Sequence, residues 1–128
     1  MKRLSVVTLC GSKKFIDEFK LVERTLTLDG YIVLSPAIFN HPERLTMTED
    51  YINTYHMIHD QKVLMSDIVI IVSINGYIGE DTKREIEFAK ANNKNIVYLN
   101  NIDDIIKNTS KFYLDLKEIS AKIMKEEM

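Results

Sequence analysis

Much is missing from this sequence, and each absence removes a class of function. One cysteine, Cys10, stands among 128 residues. No intrachain disulfide can form, and a cytoplasmic setting fits. No stretch approaches the ~18 consecutive apolar residues of a membrane span. After Met1-Lys2-Arg3 the apolar run is broken by Ser5 and Thr8 and leads straight into Gly11, which is not the pattern of a secretory leader. The formal net charge is −2, so the broad basic footprint that polymeric nucleic acid requires is lacking. Repeats, low-complexity tracts and linkers are absent. So are the dinucleotide fingerprint GxGxxG and the P-loop pattern GxxxxGK[ST].

What remains is ordinary globular material, 45% apolar and 28% charged, with the length of one domain spanning 1–128. A chain of this size buries roughly two thirds of the surface it exposes when unfolded. Hydrophobic periodicity then orders the elements. "LSVVTL" (Leu4 to Leu9) reads as a strand ending at Cys10-Gly11-Ser12. Ile16 to Leu28 has helical period, with Gly30 placed to cap its end. "YIVLSP" is a second strand, stopped by Pro36, and a polar connection runs through His41-Pro42. Thr48 is an N-cap, with Glu49 and Asp50 where the helix dipole favours acids, and that helix runs to about Met65. "DIVIIVS" is apolar on both faces, the mark of a parallel sheet covered on each side. A helix from about Asp81 to Asn92, the strand "NIVYL" and a last helix from about Ser110 complete the order.

Alternation β-α-β-α-β-α-β-α predicts an α/β fold: a small doubly wound, Rossmann-like parallel sheet of strand order 2-1-3-4 with helices on both faces. Ligands of such folds sit outside the carboxyl ends of the strands, at the switch between strands 1 and 3. Two glycine turns meet there. "LCGSKKF" offers Gly11 for close approach, the Ser12 hydroxyl, and Lys13 and Lys14, ahead of a helix N-terminus suited to anions. "NGYIGEDT" offers Gly76 and Gly79, with amides near Thr82. At ~100° per residue, Glu85 shares a stripe with Phe88 and Ala89 while Glu87 points elsewhere. Glu85 is therefore the acid of that helix expected to face the cleft. His56 and His59 lie three apart with no third or fourth ligand evident, so no metal is expected. Cys10 reads as a buried strand end with no histidine near it in sequence.

"CGS" after strand 1, "HDQKVLMSD" before strand 3 and "GYIGEDTKREIEFAKANNK" after it resemble the nucleoside 2-deoxyribosyltransferase superfamily, which includes deoxynucleoside-monophosphate N-glycosidases. The resemblance covers residues 4 to about 99. It implies cleavage or exchange of an N-glycosidic bond in a (deoxy)nucleoside or its 5′-monophosphate, without a cofactor. Glu85 takes the place of the glutamate that attacks C1′ of the sugar. Gly11, Ser12 and Lys14 would hold the 5′ group, and Gly76, Tyr77, Gly79 and Thr82 the sugar end. The chain departs from the family pattern at three places: Thr8 stands for a tyrosine, His59 for an aspartate, and Asp81 for a serine. His59 then becomes the group expected to assist the departing base. The resemblance also implies a homodimer, for which the helix of residues 49–65, with Tyr51, Tyr55, Met57 and Ile58, offers apolar surface. A sensing module of the same superfamily that binds nucleotides without turnover is the second reading, and an interaction domain with an empty cleft the third.

Overall fold

The structure is a computed structural model that describes residues 3–37 and 48–126. Its sheet has four parallel strands in the order β2-β1-β3-β4. The strands are β1 (Val6–Gly11), β2 (Ile32–Leu34), β3 (Ile68–Val72) and β4 (Asn95–Leu99), and the helices are α1 (Ile16–Leu28), α2 (Glu49–Met65), α3 (Glu80–Ala91) and α4 (Lys111–Glu126). The doubly wound fold expected from the sequence is the one observed.

β3 explains why its sequence is apolar throughout: all five residues are buried. Ile68, Ile70 and Val72 pack under α1 and α4 with Phe19, Leu26 and Leu116. Val69 and Ile71 face the other way and pack with Cys10, Val63, Ile86 and Ala89, under α2 and α3. Side chains alternate along a strand, so a central strand must be apolar on both faces. The second layer is thinner and holds most of the buried polar groups, including Thr8, His59 and Glu85. Thr8 Oγ1 donates to the Lys62 carbonyl at 2.8 Å, which satisfies the hydroxyl and ties β1 to α2.

β1 begins at Val6, two residues later than expected, because its ladder starts where β2 does, at the Val6–Ile32 pair. Thr48 caps α2 as expected, its hydroxyl accepting from the Tyr51 amide at 3.2 Å. Gly30, at φ 94°, follows the end of α1. A 3₁₀ turn at Ile102–Ile106 was not anticipated, and it buries Ile105 beneath α1 and α4. The connection expected around His41-Pro42 lies outside the described residues. No helix among the described residues is long and apolar enough to cross a membrane.

Candidate functional site

Three elements bring their ends to one cleft above the carboxyl edge of the sheet: the turn after β1, the second turn of α2 and the first turns of α3. The cleft has a volume of ≈ 250 Å³ and is lined by Gly11, Ser12, Lys13, Tyr55, His56, Gly79, Glu80, Asp81, Thr82 and Glu85. That is smaller than the ~300–1,000 Å³ of drug-sized ligand sites. It suits a sugar-sized group. A larger hollow of ≈ 570 Å³ lies elsewhere, between the end of α1 and the start of α4. It holds none of the expected site residues.

Glu85 is the buried acid of the cleft, only 6% exposed. Its Oε2 lies 3.1 Å from His59 Nε2. The same nitrogen lies 3.2 Å from Cys10 Sγ. Burial is the main cause of every protonation shift in this trio. It pushes Glu85 up to about 8, against the neighbouring Arg84 guanidinium and together with the Asp81 and Asp60 carboxylates. It brings His59 down to about 4, helped by the Lys62 charge. The Cys10 thiol is pushed well up by burial and by Glu85. At neutral pH all three groups are therefore held predominantly uncharged.

Asp60, next to His59, points away as its helical phase requires. It receives both terminal nitrogens of Arg84, at 3.2 and 3.3 Å. This fork joins α2 to α3 one residue from each member of the His59–Glu85 pair, and so fixes their approach. His56, one turn before His59, is on the cleft wall, its Nε2 3.9 Å from Asp81 Oδ2.

Of the residues expected from sequence, Gly11, Ser12, Gly79, Thr82 and Glu85 line the cleft. His59, Lys14, Gly76 and Tyr77 are not among its lining residues. His59 is 2% exposed, and its Nε2 is turned to Glu85 and Cys10. Lys14 sits with its Nζ 3.2 Å from the centre of the Tyr77 ring, and that ring meets Phe15 edge-on. Lys13 takes the place at the cleft that Lys14 was expected to fill. Gly76, at φ 81°, has open space where a Cβ would go and serves the turn. Gly11 is required chiefly by the sheet: a Cβ there would lie 2.7 Å from the Val72 carbonyl oxygen and 3.0 Å from the Phe19 ring.

Sequence reasoning missed Tyr55 and His56 as wall residues and Cys10 as a partner of His59. Cys10 and His59 are 49 positions apart in the chain, which leaves no local signal. Among the described residues, Cys10, His59 and Glu85 also form the one group of metal-ligating type, with their ligand atoms all within 4.8 Å of one another. His59 Nδ1, however, is buried without a hydrogen-bond partner among the described residues, whereas a metal-bound histidine normally donates its second N–H to an acceptor.

No family model matches the chain, and no curated protein matches it. Ten chains of known structure do. One is the crystal structure of a conserved protein from Enterococcus faecalis V583, with a TM-score of 0.56 and 19% identity. The match covers 75% of this chain and 63% of that one, so the chain spans less than two thirds of that protein's length. This likeness shows the α/β fold alone.

Proposed function

We propose that the cleft cleaves or exchanges the N-glycosidic bond of (deoxy)nucleosides or their 5′-monophosphates, as the resemblance to nucleoside 2-deoxyribosyltransferases implies. One observation carries the proposal: a single carboxylate side chain, Glu85, forms the buried floor of a sugar-sized cleft walled by both glycine turns. In the first step ionised Glu85 attacks C1′, the C1′–N bond breaks, and its electron pair leaves with the base, which takes up a proton. The glycosyl ester on Glu85 then passes its sugar to water or to a second base. A carboxylate nucleophile divides one hard displacement into two easier ones and steadies the oxocarbenium-like centre. The reaction needs no cofactor. Ser12 and Lys13 would receive the 5′ end, the departing base would take its proton from water, and the His56 imidazole lines the wall there. Tyr55 offers a face beside it.

The second reading, a nucleotide-binding or sensing module without turnover, is favoured by the protonation of Glu85. With a value of about 8, about a tenth of the side chain is ionised at pH 7. The test is a panel of nucleosides and nucleotides incubated with the protein and with Glu85→Ala, with free base followed by chromatography. Base release that vanishes in the variant supports the enzyme. Thermal stabilisation by a nucleotide without release supports the binder.

We further propose that two copies associate through α2, where Tyr51, Ile52, Met57, Ile58 and Met65 are each at least 40% exposed. Sedimentation should then show a dimer at micromolar concentration. A monomer throughout that range removes the idea.

A further inference from the structure

We infer that His59 is a fixed, uncharged hydrogen-bond donor that aims Glu85: its proton sits on Nε2 and bonds to Glu85 Oε2, which leaves Oε1 as the oxygen offered to the cleft. The purpose assigned to this arrangement rests on the glycosyl-transfer reading. The arrangement itself does not.

His59 has two neutral forms. With the proton on Nδ1, a donor is buried with no acceptor, because Nδ1 has no partner among the described residues. With the proton on Nε2, only a lone pair goes unmatched. Buried donors without acceptors are the rarer and costlier defect. The Nε2 proton also has acceptors in place, Glu85 Oε2 at 3.1 Å and, as the weaker branch, Cys10 Sγ at 3.2 Å. The imidazolium would again bury an unmatched N–H at Nδ1, so His59 stays neutral and does not exchange protons with Glu85. The hydrogen bond serves both states of the acid. When Glu85 is protonated, Oε2 is the carbonyl oxygen and the proton rides on Oε1. When it ionises, Oε1 carries the exposed lone pairs. His59 is thus a positioning residue, not the acid that assists the base.

The charged and titratable groups around the pair come from three elements. Cys10 faces it from β1. From α2, Tyr55, His56, Asp60 and Lys62 act on it. From α3, Asp81 and Arg84 do so, and the Arg84–Asp60 fork pairs those two charges with each other. A zinc-class ion between Cys10, His59 and Glu85 is the competing occupant. It would need the Nε2 lone pair and would force the proton onto the unmatched Nδ1, so the hydrogen-bonded cluster is the arrangement the geometry favours.

The decisive experiment is long-range proton–nitrogen NMR on ¹⁵N-labelled wild-type protein from about pH 5 to pH 8. The expected result is a His59 ring protonated at Nε2 and bare at Nδ1, unchanged over that range. An Nδ1-protonated ring, or an imidazolium appearing above pH 5, overturns the inference. So does stoichiometric zinc uptake with thiolate absorption. Two variants then test the positioning. His59→Gln keeps an amide N–H near the Nε2 position, and His59→Leu removes it. The Glu85 carboxyl, followed by ¹³C NMR, should ionise at higher pH in His59→Leu and near its wild-type midpoint in His59→Gln; equal behaviour of the two overturns the role. Where the wild type releases base, kcat should fall roughly tenfold or more in His59→Leu with KM little changed. A wild type that releases no base sinks the glycosyl-transfer reading, while the ring's protonation state, read by NMR, still decides the arrangement of His59.

Discussion

The burial that brings Glu85 to the floor of the cleft also discourages its charge. Held at about 8, the side chain is mostly protonated at neutral pH, whereas the proposed attack on C1′ needs it ionised. Base release should therefore climb with pH and level off above about pH 8, and Glu85→Gln should abolish it at every pH. A rate flat between pH 6 and pH 9 would contradict this. Gly79 gives a test of ligand approach separate from folding. A Cβ there would meet only the Tyr77 side chain, at 3.7 Å, so the protein itself has room for one. Gly79→Ala should keep its melting temperature within a few degrees yet lose nucleotide-induced stabilisation. Undiminished binding would show that no ligand reaches the turn. Helical phase was enough to single out Glu85 in the sequence. The family resemblance pointed to Lys14, whereas Lys13 is the lysine that lines the cleft, because residues 13–15 form a 3₁₀ turn. At three residues per turn the side chains rotate further per step than in an α-helix, and Lys14 is carried onto Tyr77. The Cys10–His59 contact is purely tertiary and has no sequence period to betray it.

At the scale of elements, the turn after β1 and the fork between α2 and α3 hold the site together. Gly11 pairs with Val72 of β3 and lies against the Phe19 ring. Gly11→Ala should cost about 1–3 kcal/mol, since the Val72 carbonyl is backbone and has little freedom to give way. Denaturant unfolding with an unchanged midpoint would show that the sheet relaxes more than expected. Asp60→Asn removes a partly exposed pair and should cost no more than about 1 kcal/mol. It should still lower any activity, because the fork sets the approach of His59 to Glu85. Element order, strand order and most helix bounds could be read from periodicity and turn residues. The start of β1 could not. Leu4 and Ser5 continue the same alternating run as Val6, and only the pairing with Ile32 decides where the ladder begins.

For the whole molecule, the buried pair links stability to pH. Glu85 is raised from 4.5 to about 8, so between those values the folded chain holds a proton that the unfolded chain has lost. Stability falls as pH rises across that window. His59 is lowered from 6.5 to about 4, so its contribution rises with pH between about 4 and 6.5. The two slopes oppose each other below pH 6.5, and only the downward one remains above it. The protein should lose roughly 1–2 kcal/mol between about pH 6.5 and pH 8.5, and Glu85→Gln should not. Thermal melts across that range check it, and a stability that rises there would refute the buried, uncharged Glu85.

The central claim is that the Glu85 carboxylate attacks C1′ of a bound nucleoside. It is met most directly by quenching the protein during turnover of a nucleoside with a slowed second step, followed by intact-mass and peptide mass spectrometry. The account predicts one added sugar, carried on the peptide that contains Glu85 and absent from Glu85→Gln. Base released without any such adduct, or an adduct on another residue, contradicts it.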